Sequence, residues 1–213
     1  DKENPRKPWR LAKQQSVASL VLSPDESYVL ATINERPEDA KTAVVPDFVT
    51  EAGYTEDIRT RTKVGDLQVR PRLAVVRVDT GEQKWIDHGQ KTKNDKGKEV
   101  DRQAALTNPQ WSDDGRRLAV LGESADNKDR WVMSVNPNEA ATRILFHEHD
   151  DAWVNGPGSS ALGWLADNRT LYFQSEKDGW SHLYTVDTDS AALKQITSGK
   201  WEVQSVELSR DKQ

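Results

Sequence analysis

The stretch ALGWLADNRTLYFQSEKDGWSHLYTVDTDSAALKQITSGKWE, residues 161–202, sets the reading of the whole chain. Four short apolar runs, 161–165, 170–174, 180–186 and 193–197, are separated by Ala-Asp-Asn-Arg, Ser-Glu-Lys-Asp-Gly and Asp-Thr-Asp-Ser, all of them turn chemistry. The pattern predicts an antiparallel four-stranded meander. Its inner runs, Leu171-Tyr172-Phe173 and Leu183-Tyr184 with Val186, are rich in aromatic and β-branched residues and leave few positions for a wet face. Such a sheet needs protein on both sides. Radial stacking of copies of itself meets that need, and the result is a β-propeller.

The corner between the first two strands recurs. Trp111-Ser112-Asp113-Asp114-Gly115 parallels Trp164-Leu165-Ala166-Asp167-Asn168, Leu22-Ser23-Pro24-Asp25-Glu26 is a third copy, and Leu208-Ser209-Arg210-Asp211 begins a fourth. The aspartates at 25, 114, 167 and 211 are spaced by 89, 53 and 44 residues. Blades of roughly 40–50 residues fit the last two intervals; the first holds an insertion. The chemistry suits a tight hairpin, because Asp bonds backbone two residues on, Pro presets φ and Gly accepts a positive φ.

At 213 residues, with 35% hydrophobic and 31% charged residues, the composition is that of a soluble domain. No apolar run approaches the roughly 20 residues of a membrane helix, so no membrane segment is expected here. DKENPRKPWR at the start has no apolar core and does not read as a signal peptide. The chain reads as cut from something longer, since it stops inside a corner. A net charge of −5 argues against a nucleic-acid surface. Zero cysteines remove disulfide and thiol chemistry and leave the compartment open.

The expected architecture is all-β, a fragment of one propeller domain over 1–213. A first blade spans about 16–87, with strands at 16–22, 28–33, 72–78 and 83–87 and an arm-like insertion at 35–66. That insertion holds Val44, Val45, Phe48, Val49 and Ile58, too apolar for a plain loop. Residues 88–103 are almost all polar and read as a loop or mobile linker. The second blade spans 104–146, residues 147–158 cross over, and the third blade spans 161–197. Residues 201–213 start the next blade, with 202–208 as a half-paired strand.

Few residues here suggest chemistry. His147-Glu148-His149-Asp150-Asp151 is the most metal-like cluster, because imidazoles two apart on a strand face the same way; a polar crossover loop is the plainer reading. His88 reads as solvated. His182 reads as a buried imidazole donating to a carbonyl. Gly158-Ser159-Ser160-Ala161-Leu162 lacks the last glycine of a nucleophile elbow, and Gly156-Pro157-Gly158 lacks the Lys-Ser or Lys-Thr of a phosphate loop. Glu56-Asp57 and Asp113-Asp114 are carboxylate pairs that read as solvated turns rather than a glycosidase pair. Ser175-Glu176-Lys177-Asp178-Gly179-Trp180 misses the aspartate-box spacing of sialidases, and no tryptophan is followed by aspartate. No catalytic, cofactor-binding or metal-ligating residue is assigned, and no cofactor is expected.

The run Gln174-Ser175-Glu176-Lys177-Asp178-Gly179-Trp180-Ser181-His182-Leu183-Tyr184, followed by Thr197-Ser198-Gly199-Lys200-Trp201-Glu202-Val203, closely resembles the propeller of dipeptidyl peptidase IV-like serine peptidases. Arg61-Thr62-Lys63-Val64-Gly65 and the Ser23-Pro24-Asp25 corner resemble the same family in the same order. The resemblance covers most of the chain from about Ser16. It implies a propeller of about eight blades, of which these are roughly the middle three. It also implies a C-terminal α/β-hydrolase domain bearing a Ser-Asp-His triad that lies outside this sequence, peptide substrates reached through that domain, a homodimer built in part by the arm, and a bacterial periplasmic or secreted location. The fragment itself would then be non-catalytic, shaping substrate access and contributing to oligomerisation. The alternatives are a TolB-like propeller acting as a protein-binding module and a glycoside-binding or glycosidase propeller.

The family's adjacent glutamates, which grip the free amino terminus of the substrate, would fall near residues 9–13. Here the sequence reads Trp9-Arg10-Leu11-Ala12-Lys13, with base in place of acid. Asp1 and Glu3 are the only nearby carboxylates.

Overall fold

A computed structural model describes residues 8–63 and 66–212; Asp1, Glu3, Val64 and Gly65, singled out above, lie outside them. Sixteen strands and no helix occur among the described residues. In chain order they begin with β1 (Gln15–Leu22) and β2 (Tyr28–Glu35), the short hairpin β3 (Val44–Asp47) and β4 (Glu56–Arg59), then β5 (Arg70–Arg77) and β6 (Gln83–Trp85). A second short hairpin, β7 (Lys91–Lys93) and β8 (Glu99–Asp101), precedes the middle blade of β9 (Ala104–Trp111), β10 (Leu118–Ser124), β11 (Asp129–Asn136) and β12 (Ala141–His149). The last blade is β13 (Leu162–Trp164), β14 (Thr170–Ser175), β15 (His182–Asp187) and β16 (Leu193–Gln195).

Three four-stranded antiparallel sheets result, ordered β1-β2-β5-β6, β9-β10-β11-β12 and β13-β14-β15-β16. The chain is therefore part of a β-propeller, with three blades in view. Side-chain alternation explains why the blades stack. In the middle blade Leu118 and Val120 pack with Leu30, Leu73 and Val75 of the first blade. Ala119 and Leu121, pointing the other way, pack with Leu162, Leu171 and Phe173 of the third. The neighbouring strand repeats the division, Trp131 and Met133 facing one way and Val132 the other. Both faces of this sheet are core, as expected for strands with no wet side.

The recurring corner has one geometry throughout. Ser23 Oγ donates to Asp25 Oδ1 at 2.6 Å, Ser112 to Asp114 at 2.6 Å and Ser209 to Asp211 at 2.5 Å. The corner at 164–168 has Leu165 at the serine position, and there Thr170 Oγ1 bonds Asp167 instead, at 2.6 Å. The residue after each aspartate is left-handed: Glu26 at φ 60°, Gly115 at 71°, Asn168 at 53° and Lys212 at 55°. Successive corners touch, for the amide of Asp114 donates to Asn168 Oδ1 at 3.2 Å and that of Ala166 to the Lys212 carbonyl at 3.3 Å, and Lys212 Nζ reaches back to Asp113 of the second corner at 2.6 Å.

Three expectations are corrected. Residues 88–103 are not a plain linker, because the Asn94 carboxamide accepts the amides of Lys96 and Lys98 and closes a tight turn that pairs β7 with β8. The fourth strand of the middle blade continues to His149, so His147 and His149 belong to the sheet and not to the crossover. Residues 202–208 form no strand; Val203 donates one amide bond to Ser181. The insertion does fold as an excursion, with β3 and β4 as its hairpin.

Candidate functional site

Antiparallel connectivity gives the blades two unlike ends. One end carries the aspartate corners and the third-to-fourth-strand turns, which are short and bond to those of neighbouring blades. The other carries the second-to-third-strand connections and the blade crossovers: residues 36–69, 125–128 and 176–181, and residues 86–103 and 150–161. Two clusters built on buried charged residues, Asp129 and Arg130, lie at this crossover end, while the corner end carries the more exposed pairs Arg117–Asp189, Arg169–Asp187 and Lys212–Asp113.

The first is built on Asp129, which opens β11 and is only 3% exposed. One carboxylate oxygen meets both His147 Nε2, at 2.7 Å, and His149 Nδ1, at 2.9 Å, while the other takes the guanidinium of Arg102. The sequence reading grouped the two histidines correctly on one face, but it missed the partner on the adjoining strand. His147 stacks on Trp131, with Arg102 above the same indole. Burial works to raise the Asp129 pKa, yet hydrogen bonds from His147, Arg102 and His149 together hold it below the usual carboxylate range. The bond to Asp129, helped by Asp151, raises the His149 pKa. No group of three or more His, Asp or Glu among the described residues is arranged to hold a metal ion. The cluster is a neutralised ionic network that fixes the start of β11.

The second cluster surrounds Arg130, 4% exposed. Its guanidinium donates to the Gln174 carbonyl at 2.7 Å and to the Ser159 carbonyl, with Glu148 at 3.7 Å. Glu148 also accepts from Ser175 at 2.8 Å. Burial lowers the Arg130 pKa against the pull of Glu148. Burial raises that of Glu176, reinforced by Glu148 and Glu202. One arginine thus ties the middle blade, the third blade and the 150–161 crossover together, and Trp153 stands 59% exposed on that crossover.

His182 is fully buried, its ring nitrogens at 3.1 Å from Thr197 Oγ1 and 3.0 Å from the Gly199 carbonyl, with Trp201 edge-on. That is the structural role expected of it. His88 departs from expectation: it is partly buried, its Nδ1 accepts the Gln90 amide at 3.0 Å, and burial lowers its pKa. It borders a crevice of about 860 Å³ between the first two blades, lined also by Glu35, Arg36, Arg72, Trp85 and Arg102. Arg72 lies over the Trp85 ring and pairs with Glu35 at 3.2 Å. Trp9 meets Trp85 edge-on, and Arg10 and Lys13 beside it are exposed. Ser159 Oγ bonds Asn155 rather than a histidine, Asp114 is held in its corner, and Glu56 and Asp57 lie exposed on β4.

Residues 15–213 match the family model of the dipeptidyl peptidase IV (DPP IV) N-terminal region. Among solved structures the chain is similar to a Bacteroides ovatus ATCC 8483 protein assigned as dipeptidyl aminopeptidase IV, with 16% identity and a TM-score of 0.71 over 96% of this chain and 32% of that one. It is similar also to Porphyromonas gingivalis dipeptidyl peptidase 4, with 20% identity and a TM-score of 0.69 over 86% of this chain and 24% of that one. A puromycin hydrolase aligns with a TM-score of 0.50 and 18% identity over 87% of this chain and 23% of that one. At such identities the structural likeness is one of fold. The chain spans about a quarter to a third of these proteins.

Proposed function

Because the chain belongs to the family of dipeptidyl peptidase IV N-terminal regions, we propose that it is the non-catalytic middle of the propeller of a serine peptidase. In this reading its crossover end fronts a C-terminal α/β-hydrolase domain in the full-length protein and shapes which peptides reach it. The observation that carries the reading is the inequality of the two ends. Long connections and the buried charges of Asp129 and Arg130 sit at one end, whereas short corners and turns with exposed ion pairs close the other. A propeller segment of this kind acts by position, and the bond-breaking groups belong to another domain.

The same reading makes β3–β4 an arm that packs against a second copy of the protein. Phe48, Val49 and Tyr54 at its tip are 76%, 91% and 80% exposed, an apolar surface that favours association. Base at Arg10 and Lys13 gives the enzyme a rule of amino-terminal recognition other than a carboxylate pair at residues 9–13.

The test is made on the full-length protein, by replacing residues 150–160 with a short Gly-Ser linker. Selection by access predicts a change of roughly tenfold or more in the ratio of kcat/KM for a ten-residue peptide to that for a chromogenic dipeptide, with dipeptide turnover kept within about twofold. An unchanged ratio would contradict it.

A further inference from the structure

Asn155 is the only asparagine of the chain that glycine follows. A backbone amide nitrogen next in the chain can attack the side-chain carboxamide and close a five-membered ring. Glycine hinders that attack least, because it has no β-carbon and the freest backbone. The 150–161 crossover gathers three further features around this pair.

The nitrogens are free. Asn155 is exposed, and neither its side-chain amide nor the backbone amide of Gly156 donates a hydrogen bond among the described residues. The carbonyl oxygen, in contrast, is engaged: Ser159 Oγ donates to Asn155 Oδ1. A donor there draws electrons from the carboxamide carbon and stands where negative charge gathers during attack. Finally, the Glu176 carboxylate lies so close against Gly156 that a β-carbon on that residue would overlap it. Burial, with Glu148 and Glu202 near it, raises the Glu176 pKa, which makes it a stronger proton acceptor than a solvated glutamate.

These groups are held in place from both sides. Val154 donates its amide to the Asn127 carbonyl at 2.8 Å, the Ser159 amide donates to the Gly156 carbonyl at 3.1 Å, and Arg130 grips the Ser159 carbonyl. Attacking and attacked residues thus lie between two anchors, which lowers the entropic cost of ring closure.

We propose that Asn155 is a self-modification site, at which Glu176 and Ser159 promote loss of ammonia and closure of a succinimide with Gly156. Glu176 takes the proton of the Gly156 amide as its nitrogen bonds to the Asn155 carboxamide carbon, and the Ser159 hydroxyl holds the oxyanion that forms. The proton passes to Asn155 Nδ2, the carbon–nitrogen bond breaks and ammonia leaves. Water then opens the ring at one carbonyl or the other, leaving aspartate or, with an extra methylene in the backbone, isoaspartate at position 155. Either product puts a new carboxylate into the pocket that Arg130, Glu148 and Glu176 line, and so changes the charge at the joint of the middle blade, the third blade and the crossover.

The experiment ages the full-length protein near neutral pH, native and unfolded in urea, and follows residue 155 by peptide mass spectrometry. Deamidation reads as a gain of one mass unit, and isoaspartate among the products identifies the ring. The native protein should change at 155 roughly tenfold or more faster than the unfolded chain, and Ser159→Ala and Glu176→Gln should each remove most of that lead. In urea all three proteins should age alike. Circular dichroism establishes that each variant is folded, and the comparison of native with unfolded protein needs no variant. A native rate no faster than the unfolded one, or one that either substitution leaves unchanged in a folded protein, overturns the proposal.

Discussion

Gly115 and Asp25 belong to corners of adjacent blades and touch: a β-carbon on Gly115 would stand 2.5 Å from the Asp25 backbone nitrogen. Gly115 is also left-handed, at φ 71°. Gly115→Ala therefore meets two obstacles, the conformation and a backbone atom that cannot swing away. Gly53 is left-handed too, at φ 70°, but has nothing within 4 Å. In denaturant titrations Gly53→Ala should cost about 1 kcal/mol and Gly115→Ala clearly more, roughly 2–4 kcal/mol. Equal costs would mean that the corners do not abut.

The Asp129 network has a defined pH window. The lowered Asp129 pKa contributes stability that is present above its unfolded value near 3.8 and is lost as pH falls through the folded one. The raised His149 pKa contributes stability that is fully present below about 6.5 and is lost as pH rises through the folded value. The penalty of Asp129→Asn, measured by urea unfolding, should be greatest between about pH 4 and 6.5. Imidazole NMR should place His149 above 6.5 and His88 below it; the reverse order would refute the assignment.

Arg130 holds two carbonyls with two arms of a planar fork, which an ammonium cannot copy. Arg130→Lys should cost about 1–3 kcal/mol. Amide exchange should quicken over residues 155–161 and stay slow where β10 pairs with β11. Uniform loosening of all three blades would show that Arg130 supports the core rather than the crossover.

β1 is an open edge of the first blade. Val17, Leu20, Val21 and Leu22 are 46–63% exposed along it, an apolar edge strand that invites association. The 213-residue chain expressed by itself should self-associate at micromolar concentration, and Leu20→Lys with Leu22→Lys should reduce this. Light scattering that finds a monomer for the unaltered chain would count against it.

The blades were legible because their strands are apolar on both faces and their corners share one sequence pattern. The left-handed residue after each aspartate was less so, since glutamate, glycine, asparagine and lysine all occupy it. The hairpin at 91–101 escaped notice because its strands are three residues long and polar, and a turn around Asn94 rather than a hydrophobic pattern forms it. His147 and His149 read as crossover because charged residues surround them. Their partner, Asp129, lies 18 and 20 residues earlier on the next strand, a relation that only the pairing of β11 with β12 creates.

The central claim is that this segment guides peptides to a catalytic serine that lies elsewhere in the protein. Labelling the full-length enzyme with a fluorophosphonate and locating the modified serine by peptide mass spectrometry tests it directly. The expected result is a single labelled serine outside residues 1–213, with loss of peptidase activity in proportion to labelling. A label on Ser159, Ser160, Ser181 or any other serine of this segment, tracking the loss of activity, would contradict it.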